Sequence, residues 1–117
     1  MTEVIYGNVP SKSNCYRVAA VKGRGMMYKA QELKNYEKGF ESQCKVYKDR
    51  NIEGYFEFHM DVYFPSWRSD LDNSAKVVLD CLQKVNAIAN DNKCVRMVLT
   101  KNIDKDTPRI EYKILEI

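Results

Sequence analysis

Apolar and polar positions alternate most regularly over residues 55–64, YFEFHMDVYF. Phe56, Phe58, Met60, Val62 and Phe64 make one row, and Tyr55, Glu57, His59, Asp61 and Tyr63 the other. A period of two belongs to a strand with one buried face and one partly wet face, and Pro65 ends it. On either side the period lengthens to three or four. Ala30, Leu33, Tyr36, Phe40, Cys44 and Tyr47 predict an amphipathic helix over 29–47, broken by Asp49–Gly54. Ala75, Val78, Leu79, Leu82 and Val85 predict a second helix over 71–85. Shorter strands are expected at Glu3–Tyr6, closed by Gly7, Asn8 and Pro10, and at Ser13–Val21, followed by a flexible loop at Gly23-Arg24-Gly25. The last two strands are Val95–Thr100 and Ile110–Ile114. The turn formers of NIDKDTP between them predict an antiparallel hairpin. The order β(β)αβαββ gives one α+β domain over 1–117, with a mixed sheet and two packed helices sharing its core.

Composition narrows the class. A chain of 117 residues suits one domain, and 44% apolar with 30% charged residues is a globular balance. No stretch approaches the ~18 consecutive apolar residues of a membrane span. The opening MTEVIYGNVP carries Glu3 and no unbroken apolar core, so it does not read as a secretory signal, and a cytoplasmic home is expected. Cys15, Cys44, Cys81 and Cys94 form no CxxC pair and have only His59 to assist them. They read as reduced thiols acting as small buried hydrophobes, not as a zinc site. The net charge of +3 is modest, but between Glu3 and Glu32 lie Lys12, Arg17, Lys22, Arg24 and Lys29 with no acid. That segment carries +5 and leaves the rest at −2, a distribution able to position a polyanion.

Candidate chemistry concentrates in SDLDNSAKVVLDCLQKVNAIAND, residues 69–91. Asp70 and Asp72 fall where a strand gives way to a helix, with Asn73 and Lys76 just inside. Residues four apart lie about 40° apart around a helix, so Asp72 and Lys76 share a face, and Asp80 continues the row. A helix start explains one capping acid, and Asp72 with Lys76 makes an ordinary i,i+4 pair. The second acid needs another account. Asp91 lies in the polar loop beyond the helix and could return toward Asp70 and Asp72 if strand 94–100 pairs beside strand 55–64. Clustered carboxylates require a cation between them, and oxygen ligands select a hard one, Mg²⁺ or Mn²⁺.

The run SDLDNSAKVVLDCLQ with NDN at 90–92 resembles the RusA family of Holliday-junction resolvases, whose pattern is D-x-D-N, a lysine three residues on, L-D, and a later pair of acids. The opening IYGNVPSKSNCYR resembles that family's Pro-Ser-x-Asn start. The resemblance implies Asp70, Asp72 and Asp91 as metal-binding carboxylates, Lys76 as the lysine near the scissile phosphate, and Asn73 and Asp80 in supporting roles. It implies a Mg²⁺-dependent homodimer that makes symmetric nicks in a four-way DNA junction, leaving 5′-phosphate and 3′-hydroxyl ends. Two identical sites suit the near-twofold symmetry of a junction. The basic residues of the Lys12–Lys29 segment, with Arg68, would contact DNA phosphates. Asn90 departs from the pattern where an acid is common, and so a branched-DNA-binding module without catalysis is the alternative reading. A protein–protein adaptor whose acids only cap a helix is a further rival.

Other residues have plainer readings. Trp67 is expected to pack a strand end and Arg68 to pair with an acid. His59 is expected to be a solvent-facing or hydrogen-bonded sheet residue rather than a general base, and Tyr16 and Tyr28 sit among basic residues.

Overall fold

The computed structural model describes residues 1–10, 31–117 and the strand backbones of 16–19 and 26–29. Its elements are β1 (Glu3–Tyr6), β2 (Tyr16–Ala19), β3 (Met26–Lys29), α1 (Gln31–Gln43), β4 (Phe56–Phe64), α2 (Leu71–Lys84), a 3₁₀ turn (Asp91–Lys93), β5 (Cys94–Ile103) and β6 (Arg109–Glu116). This is the α+β arrangement expected from the pattern, with β3 as an added strand. β2 and β3 pair antiparallel in a small sheet of their own. The expected loop at 23–25, Tyr16, Tyr28 and the basic Lys12, Arg17, Lys22, Arg24 and Lys29 lie outside the described residues, apart from strand backbone at residues 16, 17, 28 and 29.

The main sheet has the order β1-β6-β4-β5. β4 occupies the interior, parallel to β5 and antiparallel to β6. The expected hairpin between the last two strands is therefore not formed: β6 steps past β4 to reach its far side and pairs there with both β4 and β1. The turn chemistry is nevertheless local and strong. The Asp104 carboxylate accepts the N–H groups of Asp106 and Thr107 and pairs with Arg109 at 2.9 Å. Turn formers specify that the chain reverses, but not how many strands it crosses. Here the inward row of β4, buried throughout, requires a neighbour on each edge.

Phe56, Phe58, Met60, Val62 and Phe64 meet Leu33, Tyr36 and Phe40 of α1 and Ala75, Val78, Leu79 and Leu82 of α2 in one core. Burial on this scale, ~25 cal/mol per Å² of apolar surface, is the main force holding both helices to the sheet. No helix among the described residues is long and apolar enough to cross a membrane. The opposite sheet face carries Glu57, His59 and Asp61. His59 Nε2 lies 2.9 Å from Glu57 Oε1, the hydrogen-bonded sheet role expected of it.

α1 ends four residues earlier than the apolar period suggests, although Cys44 and Tyr47 are buried. The cause is Glu3. Its buried carboxylate accepts the N–H groups of Lys45 and Val46 at 2.7 and 2.9 Å, turning them away from the helix. It also accepts the Tyr112 hydroxyl at 2.7 Å and the Cys44 thiol at 3.4 Å. Burial by itself would push this carboxyl up, but the four donors outweigh it and hold it below the ordinary glutamate value. Burial, together with the nearby Glu3 carboxylate, pushes the Cys44 thiol up to about 11. Cys44 and Cys81 are buried and Cys94 partly buried, and none of the three is in a disulfide.

A carboxylate whose folded pKa is lowered stabilises the fold above its unfolded pKa, and that stability is lost as pH falls through the folded value. Glu3→Gln is expected to cost about 1–3 kcal/mol at neutral pH, because one acceptor becomes a donor facing donors. Denaturant titrations should show the gap between parent and variant closing as pH falls below the ordinary glutamate range. A gap that is constant from pH 7 to pH 3 would rule out an ionised Glu3 as its source.

Candidate functional site

Asp70 stands in extended backbone at the start of α2 and caps it. Its Oδ1 accepts the Asp72 N–H at 3.0 Å, and its Oδ2 accepts the Asn73 side-chain amide at 3.0 Å. Its carbonyl accepts the Ser74 N–H at 3.2 Å. One acid therefore completes the cap. Among the described residues no hydrogen bond or ion pair engages the side chain of Asp72 or of Lys76, and both are exposed. The expected i,i+4 ion pair is not formed. Two charged groups, unpaired among the described residues, lie on one helix face beside the N–H-rich end that favours anions.

Asp91 is elsewhere. Its N–H is held by Gln83 Oε1 at 2.6 Å, near the far end of α2. The preceding chain is fixed by main-chain bonds from Asn51 to Asn86, Ile52 to Ala87 and Ala89 to Ile52. β5 does pair beside β4, the condition set for the return of Asp91, but in parallel, so that Cys94 lies opposite Phe56 at the beginning of β4. Asp70 follows the end of β4. The fourteen residues of α2 separate the two places by about 20 Å at 1.5 Å per residue. Within one chain the structure brings Asp70 and Asp72 together and places Asp91 near the other end of α2. Among the described residues no group of three or more His, Cys, Asp or Glu side chains comes together around a possible metal.

Asn90, the departure from the acidic pattern, caps the 3₁₀ turn: its Oδ1 accepts the Asn92 N–H at 2.9 Å. Asparagine performs that task as well as aspartate does. Trp67 and Arg68 do not follow their plainer readings. Trp67 is 67% exposed. Arg68 is exposed and, among the described residues, joins no ion pair. Both lie in the exposed segment that immediately precedes the Asp70 cap.

The sequence profile of the family described as Endodeoxyribonuclease RusA matches residues 8–115. The chain belongs to the RusA family. No curated protein matches it. Membership makes it a nuclease of the Holliday-junction resolvase class, a function in DNA recombination and repair. The matched span contains the cap, the exposed Asp72 and Lys76 and the Asp91 turn, so each belongs to the RusA-type domain rather than to an appended segment.

Two further RusA-domain residues escaped the sequence reading. Gln83 anchors Asp91, and Lys101 donates to the carbonyl oxygens of Trp67 and Ser69 immediately before the cap. The signal for Lys101 was present in the pattern: it is a cation between Leu99 and Ile103, on the same side of a strand whose predicted end, Thr100, falls one residue before it.

Proposed function

We propose that this RusA-family nuclease is a Mg²⁺-dependent, structure-selective endonuclease that nicks two opposed strands of a four-way junction, leaving 5′-phosphate and 3′-hydroxyl ends. The observation that carries the reading is the helix start itself: Asp70 alone satisfies the cap, leaving Asp72 and Lys76 exposed and, among the described residues, unengaged on the adjoining face.

Within one chain the residues present fit a hard cation only in part, because Asp70 and Asp72 are together and Asp91 is not. Asp91 of a second copy would complete the set. β5 is the edge of the sheet, and its Val95 and Met97 are 54% and 49% exposed. An antiparallel pairing of two β5 edges would set the Asp91 turn of each copy at the Lys101 end of the other, to which the Asp70 loop is tied. Homodimerisation would then assemble the site as well as match the junction's symmetry.

A bound Mg²⁺, or Mn²⁺, supplies a polarising charge and an activated water. The chain's own groups do the remaining work. Asp70 and Asp72 present oxygen ligands from a rigid helix start. Lys76, one turn along, offsets negative charge gathering on the phosphate. Arg68 and Trp67 grip the strand beside it, and Lys12, Arg17, Lys22, Arg24 and Lys29 contact more distant phosphates. The working compartment is the cytoplasm of a bacterial cell, whether the chain is encoded by the host or by a phage.

The test is cleavage of a labelled four-way junction with and without Mg²⁺, beside linear duplex of the same sequence. Paired nicks are expected only with the metal and only in the junction. A retarded but uncut junction at saturating Mg²⁺ would replace this reading with the non-catalytic binding module. Failure to prefer the junction over duplex would remove both.

A further inference from the structure

The inward row of β5 places a lysine where its neighbours are apolar. Lys101 is aligned with Val62 of β4, between Leu99 and Ile103, which pack against the core. An ammonium in such a row must find acceptors. Its Nζ donates to the Trp67 carbonyl at 2.6 Å and to the Ser69 carbonyl, and lies 5.9 Å and 6.0 Å from the ring centres of Phe64 and Trp67. Both carbonyls belong to the segment joining β4 to α2. Within that segment the Arg68 N–H bonds only its near neighbour Ser66. Lys101 reaches it from more than thirty residues away. The contacts then continue without a gap: Ser69 leads into Asp70, whose carboxylate and carbonyl hold the Asp72 and Ser74 amides.

We propose that Lys101 is a positioning residue of the cleavage site, clamping the 66–70 segment to β5 so that the Asp70 and Asp72 carboxylates keep one mutual orientation. This rests on the reading of those two acids as metal ligands. Lys101 itself touches neither DNA nor metal, since its ammonium is committed to backbone oxygens. A loop freed at Ser69 lets the Asp70 carboxylate swing, and displacement of a reacting group by about 1 Å can cost on the order of 10²-fold in rate. Two substitutions separate the parts of this role. Methionine keeps the apolar stem and removes every donor; arginine keeps donors that can meet both carbonyls.

The experiment uses the full chain with Lys101→Met and Lys101→Arg. Three readouts are taken: amide hydrogen exchange, anisotropy of the sole tryptophan, Trp67, and the Mg²⁺ dependence of cleavage. In Lys101→Met, exchange at Asp72 and Ser74 is expected to rise by about tenfold or more while β4 and β6 keep their protection. Trp67 anisotropy should fall, and the Mg²⁺ concentration for half-maximal cleavage should rise by about 10–100-fold. Lys101→Arg should recover a large part of all three. Unchanged exchange and anisotropy in Lys101→Met would overturn the proposal, as would loss of protection throughout the sheet, which would make Lys101 a general structural residue. If the parent protein fails to cleave, the nuclease reading falls on that result alone. The exchange and anisotropy measurements still decide whether Lys101 holds the loop.

Discussion

Asp72→Asn is expected to abolish junction cleavage, by at least about 10²-fold, since even groups that only orient a metal ligand cost 10–100-fold when removed. Folding and junction binding should persist, because the Asp72 side chain is exposed and the cap is made by Asp70. Asp91→Asn should behave in the same way. The informative experiment combines them. If each metal site draws Asp70 and Asp72 from one copy and Asp91 from the other, a mixed dimer of Asp72→Asn with Asp91→Asn contains one site carrying both substitutions and one carrying neither. Co-expressed with different tags and purified as the heterodimer, it should regain single-strand nicking of the junction but not paired cutting. Were the carboxylates gathered within single chains, both sites would be damaged and the heterodimer would be as inert as its parents. The separation of Asp70 from Asp91 along α2 makes recovery the expected result.

Lys76→Ala should lower the cleavage rate by about 10²–10³-fold, the usual loss when a preorganised charge facing a transition state is removed. The same substitution should leave the melting temperature within a degree or two. Lys76 is exposed, forms no ion pair among the described residues, and sits in a helix that alanine favours. Rate at saturating junction, junction affinity and thermal melting on one preparation separate the alternatives. A rate loss with unchanged melting places Lys76 at the phosphate. A large fall in melting temperature would instead make it a structural residue and remove it from the site.

The elements were legible wherever one local period governed them. The alternation of β4 and the apolar stripe of α2 each appear within one residue of their predicted limits, because a half-buried strand and an amphipathic helix repeat their environment every two or about 3.6 residues. What escaped depends on partners distant in sequence. α1 stops at Gln43 because a carboxylate from residue 3 takes the next amides, and nothing near residue 43 announces that. β5 and β6 are joined by turn formers that would serve a hairpin equally well, and only the need of β4 for two neighbours separates them. In the candidate site, Asp70 and Asp72 were legible from the cap argument and the motif. The location of Asp91 was not: its return was conditional on pairing beside β4, and the parallel sense of that pairing sends its turn to the opposite end of α2. Lys101 was hidden by a strand end drawn at Thr100.

The first strand of the sheet pairs with the last, β1 with β6. A ribosome therefore emits the opening segment long before its partner exists, and both β4's second neighbour and the hydroxyl of Tyr112 that meets Glu3 follow every other strand of the main sheet. Nascent chains halted anywhere before the closing strand would lack the sheet on which both the cap and the Asp91 turn are mounted. The cap and the Asp91 turn would then gain their common support only once residues 109–116 have emerged.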